Sequence, residues 1–300
     1  MVRISKFALT LLSATAVAVP AGAAGPPVAY AKEVGAGFSI FVTNPNATGT
    51  LKLYSGPAKN SLIVDMNPNL SGGFNELAVV ASRTTGFKIV RYSDAGVVQP
   101  IQTFDDGCYV DSLDYHPANG SLLVVRRCTN PQLVEVVVWT NGTYGSPIAS
   151  TDGMNSSYRS ARWLGDGSGF LVRYGEVGVG TVIQRRNVSN FAAPSTVWSS
   201  TDLSAALNLD TARCAGDLDA TCMKFLYGDG SDRVREVHFD DMGTISDTVV
   251  VANGWGGRYS PNNSRILYRV RVKGGFTLNV TNPEQQTAAK AVYNDADWRP

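Results

Sequence analysis

The residues of this chain that could do chemistry recur in one short pattern. A charged residue is followed by a large apolar residue, then any residue, then Pro or Gly, and a degenerate copy begins at Asp210. If the charged side chains faced one channel, their mixed signs would form a polar ring able to bind a ligand, a cation or a peptide terminus. The alternative is that they satisfy backbone groups and pair between repeats, as buried charges normally do. The six charged positions are Asp65, Asp114, Arg162, Asp210, Arg258 and Asp297.

Aromatic residues form a second group of candidates. Trp255 lies in the Gly-rich stretch Gly254-Trp255-Gly256-Gly257, just before Arg258. A Trp in this setting could be exposed at a rim and act as a binding hot spot, although burial is the usual fate of such a residue. The aromatic residues inside the pattern are predicted to pack between neighbouring repeats. They are Tyr115, Trp163, Tyr259 and Trp298.

The sequence offers little for nucleophilic or His-based catalysis. In Gly165-Asp166-Gly167-Ser168-Gly169, an Asp stands where the hydrolase nucleophile motif requires its first Gly. We therefore predict that Ser168 belongs to a turn. The chain has only two His residues, His116 and His238, which are too few for a His metal cluster. No catalytic residue and no His-bound metal are predicted.

Carboxylates could still bind Ca²⁺, because hard cations need only oxygen ligands. The candidates are the stretch Asp229-Gly-Ser-Asp232 and the pair Asp240-Asp241, which lack the EF-hand spacing. We expect solvated carboxylates in turns, with Ca²⁺ as the one cofactor left open.

The pattern recurs at intervals that indicate a repeat architecture. Its copies at 65, 114, 162, 258 and 297 are 49, 48, 96 and 39 residues apart. Each copy is followed by a turn and short strands rich in β-branched and aromatic residues, and no helical periodicity is present. Four antiparallel strands in about 48 residues are typical of a propeller blade. We predict an all-β, six-bladed β-propeller over residues 38–300, closed when the C-terminal strand completes the N-terminal blade.

The first 31 residues have the order of a secretory signal. Arg3 and Lys6 precede the apolar run Phe7–Val19, and small-residue sites follow at 21–23 and 29–31. We predict cleavage after about residue 23 or 31, with an uncleaved anchor as the alternative. The apolar run is shorter than a membrane-spanning helix requires. The mature chain is therefore expected to be exported, without a transmembrane segment.

The four cysteines agree with an oxidising compartment. Cys108 and Cys128 lie on either side of the turn at 117–120, and Cys214 and Cys222 bracket a second turn at 216–219. We predict that each pair forms a disulfide across one hairpin. A metal site is the alternative, but no CxxC pair supports it.

The form Asp-Trp-x-Pro, followed by a Gly/Asn turn and an apolar strand, resembles the WD40-like β-propeller repeat of the TolB family. It is clearest at 258–268 and 297–300. The resemblance implies a six-bladed propeller, commonly in the bacterial envelope, in the periplasm or outside the cell. TolB has an additional α/β domain before its propeller, for which this chain has no room. The docking role of TolB in the Tol–Pal system is therefore not carried over.

These features predict a binding or scaffolding module without catalysis. The net charge of +1 gives no field to attract nucleic acid. We expect a monomer that binds a protein or a component of the cell envelope. One alternative is a lyase or hydrolase that acts on a polysaccharide or glycan at the axial mouth, using Asp, Arg and Tyr. A second alternative is a Ca²⁺-stabilised surface adhesin.

Overall fold

The computed structural model describes residues 28–34, 37–43, 49–56, 62–68, 74–81, 85–93, 95–212, 223–273, 275–281, 285–291 and 293–298. Within these ranges the regular secondary structure consists of 24 β-strands, without a helix. The all-β prediction is therefore confirmed. Residues 1–27, with most of the predicted export signal, and the Cys214–Cys222 pair lie outside the described residues.

The strands form antiparallel sheets in which chain neighbours pair with each other. In the described part of the chain there are four sheets of four strands and one of eight strands. In spatial order, the first sheet contains β24 (Tyr293–Trp298), β1 (Val28–Val34), β2 (Gly37–Thr43) and β3 (Leu51–Gly56). The eight-stranded sheet contains β4 (Leu62–Met66), β5 (Asn75–Ala81), β6 (Thr85–Tyr92), β7 (Gln102–Tyr115), β8 (Leu122–Thr129), β9 (Gln132–Thr140), β10 (Thr143–Tyr144) and β11 (Ala149–Thr151).

The three remaining sheets follow the chain order without a crossover. One contains β12 (Ser156–Trp163), β13 (Gly169–Glu176), β14 (Gly180–Asn187) and β15 (Asn190–Ser200). The next contains β16 (Leu207–Thr211), β17 (Lys224–Gly228), β18 (Val234–Asp240) and β19 (Gly243–Val251). The last contains β20 (Trp255–Tyr259), β21 (Ile266–Val272), β22 (Gly275–Val280) and β23 (Gln285–Ala291).

Strand β7 joins the two halves of the eight-stranded sheet. Residues 102–104 pair with β6, residues 110–115 pair with β8, and Tyr109 pairs with both. The predicted disulfide between Cys108 and Cys128 is present, and it ties the middle of β7 to the end of β8. This part of the prediction is confirmed.

The last strand of the chain lies in the first sheet. Strand β24 pairs antiparallel with β1, so that Asp297 lies opposite Ala29, and β1 pairs on its other side with β2. The strand predicted to complete the N-terminal sheet therefore does pair with it.

The predicted start of the folded part at residue 38 is too late, because β1 begins at Val28. The segment Val28-Ala29-Tyr30-Ala31 is buried. Ala29 and Ala31 belong to one hydrophobic cluster, and Val28 and Tyr30 belong to the cluster on the opposite face. The sequence of these residues resembles a cleavage site, but in the structure their side chains pack on both faces of a sheet.

The core consists of hydrophobic layers between successive sheets. Alternate residues of one strand enter different layers, as side chains of a β-strand must. Leu122 and Val124 pack on one side of β8, and Leu123 and Val125 pack on the other. A strand that is buried on both faces has apolar residues at successive positions. The sequence therefore shows continuous apolar runs instead of alternating apolar and polar residues.

In four repeats, the strand that contains the charged residue of the sequence pattern has a β-bulge just before that residue. We call this strand the first strand of its repeat. The register shifts between Val110 and Ser112 in β7, and corresponding shifts occur in β12, β16 and β20. At two of these bulges the backbone is left-handed, with φ of 54° at Asn208 and 61° at Gly256. A bulge bends the strand and re-aims its side chains.

The described residues include no helix long and apolar enough to cross a membrane.

We predict that the signal is cleaved near residue 23, because cleavage after residue 31 would remove half of β1. A variant that begins at Lys32 should melt at least ~10 °C below one that begins at Ala24, since it loses the buried side chains of Val28 and Tyr30, each worth ~1.5–3 kcal/mol. Thermal unfolding followed by circular dichroism measures the difference. A variant that begins at Val28 is the control and should match the Ala24 variant. Equal melting of all three would contradict this prediction.

Candidate functional site

The six charged residues of the repeat lie near the ends of the first strands of successive repeats. They occupy β4, β7, β12, β16, β20 and β24, each as the last residue but one of its strand. All six are buried, with at most 4% of the surface of any of them exposed. We refer to Asp65, Asp114, Arg162, Asp210, Arg258 and Asp297 as the inner-strand charges.

Each Asp of the inner-strand charges accepts a hydrogen bond from the backbone of the next repeat. The donor is always the N–H of the large apolar residue that follows the charged position in that repeat. Four such bonds link neighbouring repeats: Tyr115 N to Asp65 Oδ2 at 2.7 Å, Trp163 N to Asp114 Oδ2 at 2.5 Å, Tyr259 N to Asp210 Oδ2 at 2.8 Å, and Met66 N to Asp297 Oδ2 at 2.8 Å. A carboxylate that accepts a buried N–H forms a charge-assisted bond, which is stronger than a neutral one.

The two Arg residues bridge the same strands through carbonyl groups. The Nε of Arg162 donates to the carbonyl of Leu209 at 3.0 Å, and its Nη1 donates to the carbonyl of Leu113. The Nη1 of Arg258 also donates to the carbonyl of Leu209, at 2.8 Å. The Arg residues therefore hold strand ends together, as the Asp residues do.

Ion contacts complete the arrangement. Arg162 lies 3.7 Å from Asp114 Oδ1 and 3.9 Å from Asp210 Oδ1, and Arg258 lies 3.8 Å from Asp210 Oδ1. Every described contact of these side chains is thus with the protein itself. The geometry favours the alternative in which the charges satisfy backbone groups and pair between repeats, and ligand binding at these residues stays a prediction.

Two carboxylates that the sequence reasoning missed serve the Tyr residues of the repeat. The hydroxyl of Tyr115 donates to Glu76 Oε1 at 2.9 Å, and that of Tyr259 donates to Glu236 Oε2 at 2.7 Å. Burial, together with the neighbouring Glu, raises the pKa of each Tyr well above its ordinary value. The one signal in the sequence is Glu76, an acidic residue directly before the apolar run at 77–81, whereas Glu236 lies among other polar residues of β18.

Glu236 is the centre of a polar cluster between β18 and β20. Besides the Tyr259 hydroxyl, it contacts His238 Nε2 at 2.9 Å and Lys224 Nζ at 3.3 Å. Burial acts to raise the pKa of Glu236, but hydrogen bonds from Tyr259 and His238 and the charge of Lys224 outweigh it and lower the pKa. His238 is therefore a structural partner of a carboxylate.

Trp255 is half-buried at the start of β20. The guanidinium of Arg271 lies 5.3 Å from the centroid of its ring, and Phe276 packs edge-on at 6.3 Å. The Nε1 of Trp255 is buried and has no hydrogen-bond partner. Of the other repeat aromatics, Tyr115, Trp163 and Tyr259 are buried as predicted, and the side chain of Trp298 lies outside the described part of the chain.

The candidate Ca²⁺ carboxylates lie in or beside turns, and those of Asp229, Asp240 and Asp241 have protein partners. Asp229 accepts from the backbone of Ser231 at 2.9 Å and pairs with Arg233 at 2.7 Å. Asp240 accepts from the backbone of Met242, and Asp241 pairs with Arg185 at 2.6 Å. Asp232 has a left-handed backbone, with φ of 59°. Across the described ranges, no group of three or more His, Cys, Asp or Glu could hold a metal ion.

Ser168 and His116 also lie in turns. Ser168 Oγ donates to Asp166 Oδ1 at 2.9 Å, which is a local turn contact. His116 Nδ1 accepts from the backbone of Ala118, and its ring packs edge-on against Trp163 at 4.7 Å. Burial lowers the pKa of His116. The structure brings neither residue near a partner suited to nucleophilic catalysis in the described part of the chain.

The fold is shared with known structures, although no protein-family model matches the chain and no curated protein matches it in sequence. TolB from Acinetobacter baumannii is 14% identical, with a TM-score of 0.66 over 92% of this chain and 67% of that chain. A structure from the nidogen/laminin complex is 11% identical, with a TM-score of 0.62 over 91% of this chain and 98% of that chain. Oligogalacturonate lyase from Vibrio parahaemolyticus is 8% identical, with a TM-score of 0.51 over 84% of this chain and 90% of that chain.

At these identities the likeness concerns the fold alone. The chain has a TolB-like β-propeller fold. The resemblance inferred from the repeat pattern is confirmed at this level.

We predict that Asp114→Asn lowers the free energy of unfolding by about 2–3 kcal/mol. The change keeps the shape but removes a buried charge that accepts a backbone N–H and faces Arg162. Urea unfolding measures the loss. The control is Asp241→Asn, whose side chain is 89% exposed and should contribute less than about 1 kcal/mol. Equal effects of the two changes would argue against a structural role of the inner-strand charges.

We also predict a specific acid sensitivity from Glu236. Because its folded-state pKa lies below the ordinary value of 4.5, it contributes stability above that pH, and this contribution is lost as the pH falls through the folded-state pKa. In Glu236→Gln the free energy of unfolding should therefore fall less than in the wild type as the pH is lowered from 5 towards 3. Unfolding curves across this range test it. Parallel profiles for the two proteins would contradict the assignment.

Proposed function

We propose that this protein is an exported, six-bladed β-propeller that binds a protein or envelope partner and has no catalytic activity of its own. The observation that carries the proposal is the use of the inner-strand charges. The side chains best suited to chemistry bond to neighbouring strands at distances of 2.5–3.0 Å. They are therefore parts of a rigid scaffold, and binding is left to the surface.

A count of six blades is supported by the partner change within β7. If the eight-stranded sheet is divided there, each half is a meander like those of the other sheets. Closure of the ring is supported by contacts between the first strands: β24 contacts β4, β4 contacts β7, and the series continues through β12, β16 and β20 back to β24. Such a ring leaves few strand edges exposed near its centre.

Export is supported by the Cys108–Cys128 disulfide, because such bonds persist in oxidising compartments. A binding role is supported by the fold likeness to TolB and to the nidogen/laminin structure, whose title describes a protein complex. Fold likeness alone does not identify a ligand, since functional sites differ between proteins of one fold.

A second candidate function is a polysaccharide lyase or hydrolase with its site at the axial mouth. The fold likeness to oligogalacturonate lyase favours it. Arg159, exposed at the bulge of β12, is a residue of the right charge for an acidic sugar. Arg159→Ala tests this candidate function, because loss of turnover with intact folding would support it.

The experiment that tests the proposal is in-cell crosslinking of the tagged mature protein, followed by affinity capture and mass spectrometry. We expect a protein present in amounts comparable to the bait and absent from a tag-only control. The same preparation is incubated with polygalacturonate and with other envelope or extracellular glycans. Turnover abolished by a single substitution, or capture indistinguishable from the control, would refute the proposed function.

A further inference from the structure

The last sheet, β20 to β23, contains an unusual distribution of charge. From Ala252 to Pro283 the sequence holds no Asp or Glu but five cations, in a chain whose net charge is only +1. Arg258 belongs to the inner-strand charges, and Arg265 donates to the carbonyl of Thr281 at 2.9 Å. The other three cations, Arg269, Arg271 and Lys273, follow one another along β21 and the hairpin to β22.

Two of these cations share a face of the sheet with two aromatic rings. Trp255 lies opposite Arg269, and Arg271 lies opposite Phe276. The guanidinium of Arg271 is 5.3 Å from the centroid of Trp255 and 6.0 Å from that of Phe276. The guanidinium of Arg269 lies 5.8 Å from the centroid of Phe276. We call the surface formed by Trp255, Arg269, Arg271, Lys273 and Phe276 the Arg271 patch.

The patch leaves Arg271 accessible to a ligand. The guanidinium of Arg271 lies within cation–π distance of the rings of Trp255 and Phe276, and the N–H groups of a guanidinium match a carboxylate in a fork. Arg271 is exposed, and no carboxylate among the described residues forms a salt bridge with it. Arg271 thus lies beside two aromatic rings while its side chain remains accessible to solvent.

Two further observations support a binding site at this place. The indole N–H of Trp255 is buried without an acceptor, and such donors are rare because they lose the hydrogen bond that water would supply. Gly256 has a left-handed backbone, and a Cβ there would lie 3.0 Å from Arg269 Nη2. Gly256 therefore leaves room for the guanidinium of Arg269, the residue opposite Trp255 in the sheet.

We propose that the Arg271 patch binds a carboxylate-rich segment of a protein partner. The inference rests on the proposed binding function and specifies its partner. Charge complementarity selects an acidic segment, and the stacked guanidinium supplies bidentate recognition of one carboxylate. Small rearrangement of the Gly-flanked indole would let Trp255 donate to the same segment.

The test uses the full mature protein and a fluorescein-labelled octaglutamate peptide, with octaglutamine and octalysine as matched probes. Fluorescence anisotropy should show binding of octaglutamate alone, and this binding should weaken when salt rises from ~50 to ~500 mM. Arg271→Gln should weaken it about ten-fold, the effect of losing one bidentate ionic contact. Lys273→Gln, on the exposed hairpin, should weaken it less, by about three-fold.

Lys52→Gln is the control, since it removes the same charge from the exposed outer strand β3. It should change affinity less than two-fold, and circular dichroism checks that each variant folds. Equal weakening by Lys52→Gln and Arg271→Gln, or no binding of octaglutamate, would overturn the proposal. Displacement of the peptide by inorganic phosphate at concentrations where acetate has no effect would also overturn it, in favour of a phosphate ligand.

Crosslinking capture repeated with Arg271→Gln separates this inference from the proposed function. Loss of the captured partner would support both. A partner retained by the variant would refute the acidic docking site and leave the binding function intact. Failure of the wild-type protein to capture any partner would refute the binding function, whatever the result with octaglutamate.

Discussion

The structure depends on one interaction, the hydrogen bond from a backbone N–H to the Asp carboxylate of the preceding repeat. This bond fixes the distance and register between neighbouring first strands, because donor and acceptor occupy the same place in every repeat that has them. It also joins β24 to β4, through Asp297 and the N–H of Met66. Hydrophobic packing between the layers holds the sheets together but is not directional, whereas the hydrogen bonds to the carboxylates are directional.

The two repeats with Arg instead of Asp show how the same position can serve in another way. A guanidinium cannot accept an N–H, so Arg162 and Arg258 donate to carbonyl groups of adjacent strands. Asp210, between them, neutralises part of their charge. From Asp114 to Asp297 acceptors and donors alternate, so these buried ions compensate one another, as buried charges require.

Much of the fold could be predicted from the sequence because each repeat has the same order of strands and turns. The pattern at Asp114 and Arg258 located first strands, and Cys108 and Cys128 located a hairpin. The position of β1 could not be predicted, because small residues that pack between sheets, such as Ala29 and Ala31, also satisfy a cleavage site. Glu76 and Glu236 were missed because their partners, Tyr115 and Tyr259, lie in a different repeat, and no local spacing reports a contact between repeats.

For the candidate site, the sequence identified the charged residues but could not decide where their polar atoms point. The same six residues are compatible with an open channel and with a network between strands. That choice depends on side-chain direction at the β-bulges, which a sequence pattern does not encode. Trp255 raises the same difficulty, since its Gly neighbours indicate an unusual backbone without indicating that Arg271 would cover its ring.

The pairing of β24 with β1 also has a consequence for the order of folding. Residues 28 and 298 are opposite each other in the first sheet, so β1 stays uncovered on one edge until β24 pairs with it. Contacts between such distant residues are slow to form because a long loop must close first. Until β24 pairs with β1, the edge of β1 stays open to pairing with another chain. During that interval the open edge of β1 is the place where a chaperone would be most useful.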